Sequence, residues 1–344
     1  MSAPGGKQAS RASDQGPPAL RPGALPRMRP AWFTLAAMAV AALPLVLRGD
    51  YALHLAVAIG INAIVVLGLN LLMGYAGQVS LGQAAFVGIG AYASAILGSK
   101  LDLSPWLGLL TGVGLSAVVA AMVGIPMLRL RGHYLAMGTL GFGMIVHIVM
   151  VQWEGLTTGT TGISSFAPLS IAGVKLDSEI RMYYLVAATC LVGLAMASNI
   201  INSRVGRAMR AVHTSEAAAS TSGVDISRYK LQVFVISAGL AGLAGGLYAH
   251  HAGYVNPDSF GFGYSIQLLV MVVLGGMASV WGAVFGAGAV SLLAEYLRAR
   301  QELSPVIFGL VLMAVMVFLP DGLWRGGSDL VARILGRRAQ AEGG

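Results

Sequence analysis

Eight stretches of this chain carry no charged side chain: Ala31–Leu47, Tyr51–Ser99, Leu103–Leu128, Gly132–Trp153, Met182–Ser203, Leu231–Pro257, Ser259–Ala294 and Leu303–Pro320. A helix that crosses a bilayer needs about 20 consecutive apolar residues, and a water-soluble fold has no use for so many runs of that length. Only 10% of the 344 residues are charged, 56% are hydrophobic, and mean hydropathy is +0.74. A soluble domain carries about a quarter charged residues, so this chain lacks the polar groups to cover itself in water. Its solvent is lipid. The backbone must then satisfy its own hydrogen bonds, and the expected fold is an all-α polytopic membrane protein.

Two of the runs are too long for one crossing. Tyr51–Ser99 folds back most naturally at Gly74-Tyr75-Ala76-Gly77-Gln78, and Ser259–Ala294 at Gly275-Gly276-Met277-Ala278-Ser279. That gives about ten transmembrane helices. With the N-terminus inside, 16 of the 22 Lys and Arg fall on inside segments, together with 6 of the 14 Asp and Glu. This positive-inside bias places both termini in the cytoplasm. Residues 1–30 read as a disordered basic cytoplasmic tail, 31–324 as the transmembrane domain and 325–344 as a cytoplasmic C-terminal tail. Ala31–Leu47 follows basic residues as a signal peptide would. It lacks a clear small-residue cleavage site and is long enough to span, so a retained helix is expected. Four helices on each side of the basic segment 204–230 contain one Gly-broken pair each, a hint of the pseudo-repeat halves common in transporters.

The chemistry open to such a chain is narrow. A net charge of +8 in short segments between apolar runs is membrane orientation, not nucleic-acid binding. The single cysteine, Cys190, excludes an internal disulfide. Gly6-Lys7 lacks the spaced Gly and the following Ser or Thr of a phosphate loop, and no His-Glu-x-x-His or paired-Cys motif occurs. No catalytic residues, metal ligands or bound cofactors are expected, and the chain cannot hydrolyse ATP by itself. No Asp, Glu, Lys or Arg lies inside a predicted span except Glu295 near the end of one, which argues against a proton- or sodium-coupled carrier. His54, His133, His250 and His251 lie near predicted helix ends, and His147 lies deeper as a neutral, hydrogen-bonded group. What the spans do hold is neutral polar residues. Asn70, Gln78, Ser80 and Gln83 gather at the first break, where close helix packing and a substrate pathway are both open readings. Thr157-Thr158-Gly159-Thr160-Thr161-Gly162 reads as a structured outside loop.

Arg204–Lys230 is the one sizeable polar stretch between spans. Val205, Ala208, Met209 and Val212 share a helical face, with Arg204, Arg207 and Arg210 on another. Ser215 can cap a second short helix with Glu216 in its first turn, and Gly223 suits its termination. Two short helices along the membrane surface are expected. They could grip anionic lipid or a soluble partner.

The run Leu69-Asn70-Leu71-Leu72-Met73-Gly74-Tyr75-Ala76-Gly77-Gln78-Val79-Ser80-Leu81-Gly82-Gln83-Ala84-Ala85-Phe86 resembles permeases of branched-chain amino acid ABC importers of the LivM type. So do Gly206-Arg207-Ala208-Met209-Arg210-Ala211-Val212, Ala241-Gly242-Leu243-Ala244-Gly245, Gly275-Gly276-Met277 and Phe318-Leu319-Pro320-Asp321-Gly322-Leu323. The resemblance covers about Tyr51 to Trp324 in order. It implies a type II ABC importer permease fold of ten helices, related to vitamin B12 and ribose importers, in the bacterial inner membrane. It also implies a second homologous permease, two ATPase subunits that use ATP and Mg, and a periplasmic binding protein. By the same resemblance 204–230 is the ATPase-coupling segment, with Arg207, Arg210, Glu216, Ala218, Ala219 and Gly223 as its contacts. Ala218-Ala219 and Gly223 match the family's Ala-Ala-x-x-x-Gly core. The Glu that often precedes this core is absent at Ala217, with Glu216 one place earlier. Urea and short-amide importers share the scaffold and are the alternative substrates. A stand-alone channel or ion-coupled carrier is the alternative from another class.

Overall fold

The computed structural model describes residues 49–297 except 102, 131, 165, 172 and 173, with isolated helical positions between 34 and 44 and between 306 and 313. The predicted spans Ala31–Leu47 and Leu303–Pro320 lie largely outside the described residues, as do the two tails. Residues 1–42 form a unit of their own, helical at Thr34, at Met38 and from Val40 to Ala42. The second unit begins at Leu43.

That unit is a helical bundle. Helices α1 (Asp50–Asn70), α2 (Gln83–Lys100), α3 (Pro105–Met127), α4 (His133–Gln152) and α5 (Glu179–Asn202) precede two short helices, α6 (Arg204–Thr214) and α7 (Glu216–Thr221). Helices α8 (Ile226–Ala252), α9 (Phe262–Gly275) and α10 (Val280–Leu297) follow. Among the described residues, seven helices are long and apolar enough to cross a membrane. Helix α2, of 18 residues, is not one of them. Its composition is explained by position: Gln83 to Gly88 and Gly90 to Ala95 are buried against other helices. A helix that meets protein rather than lipid on nearly every side can be built of Gly, Ala, Ser and Gln.

Both predicted fold-backs are real breaks. Helix α1 widens into a π-turn over Leu71–Tyr75 and stops, and the chain re-enters at Gln83 after Gly77 adopts φ +67°. Helix α9 ends at Gly275, Gly276 turns with φ +105°, and α10 begins at Val280.

Helix α8 is the centre of the bundle and packs along α1, α2 and α3. The approach to α2 and α3 is backbone to backbone. A Cβ at Gly90 would run into the carbonyl of Gly242, so the seam admits only the smallest residue. Where lipid offers no hydrophobic drive for helix association, such close van der Waals packing is the main adhesive. The large outward side chains of α3 and α4, including Leu110, Met122, Met137 and Ile145, remain exposed. They present an apolar wall to whatever surrounds the chain.

At the end of the bundle away from the breaks, the Thr-rich stretch is ordered as expected. A helical turn (Glu154–Thr157) and a 3-10 turn (Gly159–Thr161) lead into β1 (Ile163–Ser164). The buried Thr157 hydroxyl donates to the Met150 carbonyl at 2.7 Å. A hairpin of β2 (Ser170–Ile171) and β3 (Val174–Lys175) follows, while β1 pairs antiparallel with β4 (Tyr254–Val255).

Candidate translocation and coupling site

The two breaks meet. Asn70, at the end of α1, accepts a hydrogen bond from the Ala278 amide at 2.9 Å and donates to the Ser279 carbonyl at 2.7 Å. The Tyr75 hydroxyl donates to the Ala278 carbonyl at 2.7 Å. Ala278 sits at φ +58°, a left-handed conformation that costs a non-glycine residue about 1–2 kcal/mol. The first break therefore supplies the groups that hold the second in its strained turn. Gly74 permits the contact, because a Cβ there would overlap the Ala278 amide.

The other polar residues of the first break are placed differently. Gln83 donates to both the carbonyl and the hydroxyl of Ser237 on α8, at 3.0 Å each. Its own carbonyl oxygen is buried with no hydrogen-bond partner among the described residues. Both ends of the Gln78 amide and the Ser80 hydroxyl are in the same condition, with each residue 2% exposed. An unpaired buried polar group costs about 1–3 kcal/mol, and four such atoms fall on three residues between Gln78 and Gln83. Of the four candidate pathway residues, Asn70 is thus committed to the clamp, Gln83 is half committed, and Gln78 and Ser80 are uncommitted.

A cavity of about 220 Å³ adjoins this cluster, lined by Leu81, Leu140, Met144, His147, Ile148 and Phe262 among others. It has room for several waters or one small molecule. Its walls are aliphatic and aromatic. His147 supplies a polar group, with Nε2 4.0 Å from Asp258 and Nδ1 buried without a partner among the described residues.

Helices α6 and α7 lie against the same end of the bundle. Ser203 caps α6 by accepting from the Val205 amide at 3.1 Å, and Ser215 caps α7 by accepting from the Ala218 amide at 3.3 Å. Gly223, at φ +78°, turns the chain toward α8. Helix α6 buries Gly206, Met209 and Val212, while Val205 and Ala208 are half-buried. Arg207 and Ala218 are exposed, Arg210 is half-buried and Ala219 is buried. Glu216 is already engaged: its carboxylate binds Lys230 at 2.6 Å, and only 9% of the Lys230 side chain is exposed.

His213, at the end of α6, was not marked by the sequence pattern, yet it lies against the first break. Its ring covers Gly77 so closely that a Cβ at Gly77 would lie 2.8 Å from the ring. A His in the last turn of a basic helix is an ordinary C-terminal residue, and the sequence holds no signal of what it touches.

Residues 51–319 match the family described as the branched-chain amino acid transport system / permease component. The chain belongs to this permease family. Two relatives named as high-affinity branched-chain amino acid transport system permease protein LivM, from Salmonella typhimurium and Escherichia coli, are 35% and 33% identical over 257 residues. Those alignments cover 68% of this chain and 60% of each relative, so the chain spans less than two thirds of their length. The Escherichia coli permease protein LivH is 34% identical over 138 residues, covering 39% of this chain and 44% of that protein. No solved structure matches.

Proposed function

We propose that this chain is a permease subunit of an ATP-driven importer for branched-chain amino acids in the bacterial inner membrane. The similarity to LivM permeases across most of the chain is the observation that carries the reading. The additional similarity to LivH supports a second, homologous permease beside this one, and the apolar walls of α3 and α4 offer a surface for it or for lipid. Two cytoplasmic ATPase subunits and a periplasmic binding protein complete the assembly.

In this reading the chain has ten crossings in two pseudo-repeat halves, each with one broken pair, and both termini are cytoplasmic. The breaks and α6–α7 then face the cytoplasm, in keeping with the excess of Lys and Arg on that side. ATP and Mg act in the partner subunits. Arg207, Arg210, Ala218 and Gly223 present the coupling surface, while Glu216 and Ala219 hold α7 in place. A push on α6 passes through His213 to Gly77, shifts the first break, and through Asn70 and Tyr75 moves the second. Gln78, Ser80 and Gln83 line the polar stretch of the pathway. The adjoining cavity, walled by Leu140, Met144 and Ile148, accommodates the aliphatic side chain.

The test is uptake of labelled leucine by proteoliposomes containing the full assembly, with isoleucine, valine and urea as competitors. Uptake should require both ATP and the binding protein, and valine should compete where urea does not. Uptake by this chain alone, or uptake indifferent to ATP, would overturn the proposal.

A further inference from the structure

At the end of the bundle opposite the breaks, His54 of α1, Glu179 of α5 and His251 of α8 converge. His54 Nδ1 lies 3.1 Å from Glu179 Oε1, and His251 Nδ1 lies 3.8 Å from Glu179 Oε2. One ligand atom from each of the three residues can be chosen so that all lie within 4.8 Å of one another. The two imidazole rings are stacked with centroids 4.2 Å apart and planes 32° apart. We propose that these three residues form a binding site for a divalent transition metal of the zinc class.

The donor set is chemically apt, since two imidazoles and one carboxylate are a common three-ligand complement for Zn²⁺ with a fourth position left open. Bonds of about 2.0–2.1 Å in a tetrahedron put the donors roughly 3.3 Å apart, so donors now up to 4.8 Å apart must draw together by side-chain rotation. Hydrogen bonding alone leaves the trio incomplete. Glu179 Oε2 and His251 Nε2 are buried without a hydrogen-bond partner among the described residues. The 3.8 Å between Oε2 and His251 Nδ1 is too long for a hydrogen bond. A dication between the three groups would neutralise the carboxylate, with the His54 proton that now bridges Nδ1 to Glu179 Oε1 moving to Nε2 so that Nδ1 can ligate. Access is from the His54 side, where the side chain is 48% exposed against 5% for His251.

The site has a mechanical consequence. Helix α1 runs from His54 to the first break, α5 runs from Glu179 into α6, and α8 runs from His251 back to Lys230. A metal here would staple one end of the three helices whose other ends form the coupling site.

Binding is tested on the full-length chain, purified without a histidine tag, stripped with chelator and held in nanodiscs. Zn²⁺ is titrated against a competing fluorescent chelator, and Co²⁺ is added separately to read its visible spectrum. One equivalent of Zn²⁺ per chain is expected, with the intense visible bands of four-coordinate Co²⁺. Glu179→Gln and His54→Ala should each weaken binding at least about ten-fold and remove those bands, while His133→Ala leaves both unchanged. The metal-free melting temperatures of the variants are measured alongside, and the half-exposed His54 makes His54→Ala the variant least dependent on packing. Absence of stoichiometric binding by the wild-type chain would overturn the site. Equal affinity and an equal Co²⁺ spectrum in a folded His54→Ala protein would do the same. Neither readout depends on transport, so failure here is distinct from failure of the importer reading.

Discussion

Asn70 holds Ala278 from 208 residues away in the chain, accepting its amide at 2.9 Å while donating to the next carbonyl at 2.7 Å. One buried side chain thereby closes the turn between α9 and α10 from the end of α1. Asn70→Ala should destabilise the protein by about 1–3 kcal/mol, since a backbone amide and a carbonyl lose their partner in a buried site. Ala278→Gly in that background should recover up to about 1 kcal/mol by easing the left-handed backbone. Thermal unfolding in detergent, followed by far-UV circular dichroism, reads both changes.

Gln78 offers a test that separates packing from pathway. Its amide is buried and unpaired among the described residues, so Gln78→Leu should raise stability, by about 1 kcal/mol or more. If Gln78 lies on the proposed transport path, the same substitution should also reduce leucine uptake. A variant that is both more stable and fully active would leave Gln78 with no role in transport.

The pair of Glu216 and Lys230 should behave asymmetrically. Removing Glu216 leaves a nearly buried ammonium without its carboxylate, whereas removing Lys230 leaves a carboxylate that is 35% exposed. Glu216→Ala should therefore cost more stability than Lys230→Met, by about 1 kcal/mol, and the double variant less than the sum of the two. A double-mutant cycle on melting temperature measures the coupling.

Much of this site was legible in the sequence, and the part that was not has a common cause. Chain length against bilayer thickness located both breaks, Ser215 before a helical pattern located the start of α7, and Gly223 after Ser222 located its end. The amphipathic face of α6 was readable because Met209 and Val212 recur at helical spacing. Long-range contacts left no such trace. Nothing near Asn70 announces Ala278, nothing near His213 announces Gly77, and Glu216 gave no sign of Lys230. Local pattern records which face of an element is buried, and only the fold records what lies on the other side. The same limit applies to α2, whose polarity makes sense only once it is found enclosed by its neighbours.

Charge on α6 separates a protein partner from lipid. Arg210→Glu should lower ATP-dependent uptake several-fold, with the amount of protein inserted in the membrane unchanged. Quantitative blotting of membrane fractions beside the uptake assay gives both values. A variant that changes only its affinity for anionic vesicles would assign α6 to the lipid surface.

In the proposed importer the contact between His213 and Gly77 is the joint on which coupling would rest, and the ratio of leucine imported to ATP hydrolysed tests it most directly. His213→Ala removes the ring from Gly77 and leaves the arginines of α6 in place. In the reconstituted assembly ATP hydrolysis should continue while leucine imported per ATP falls at least several-fold. An unchanged ratio in a stably folded His213→Ala assembly would contradict transmission from α6 to the break.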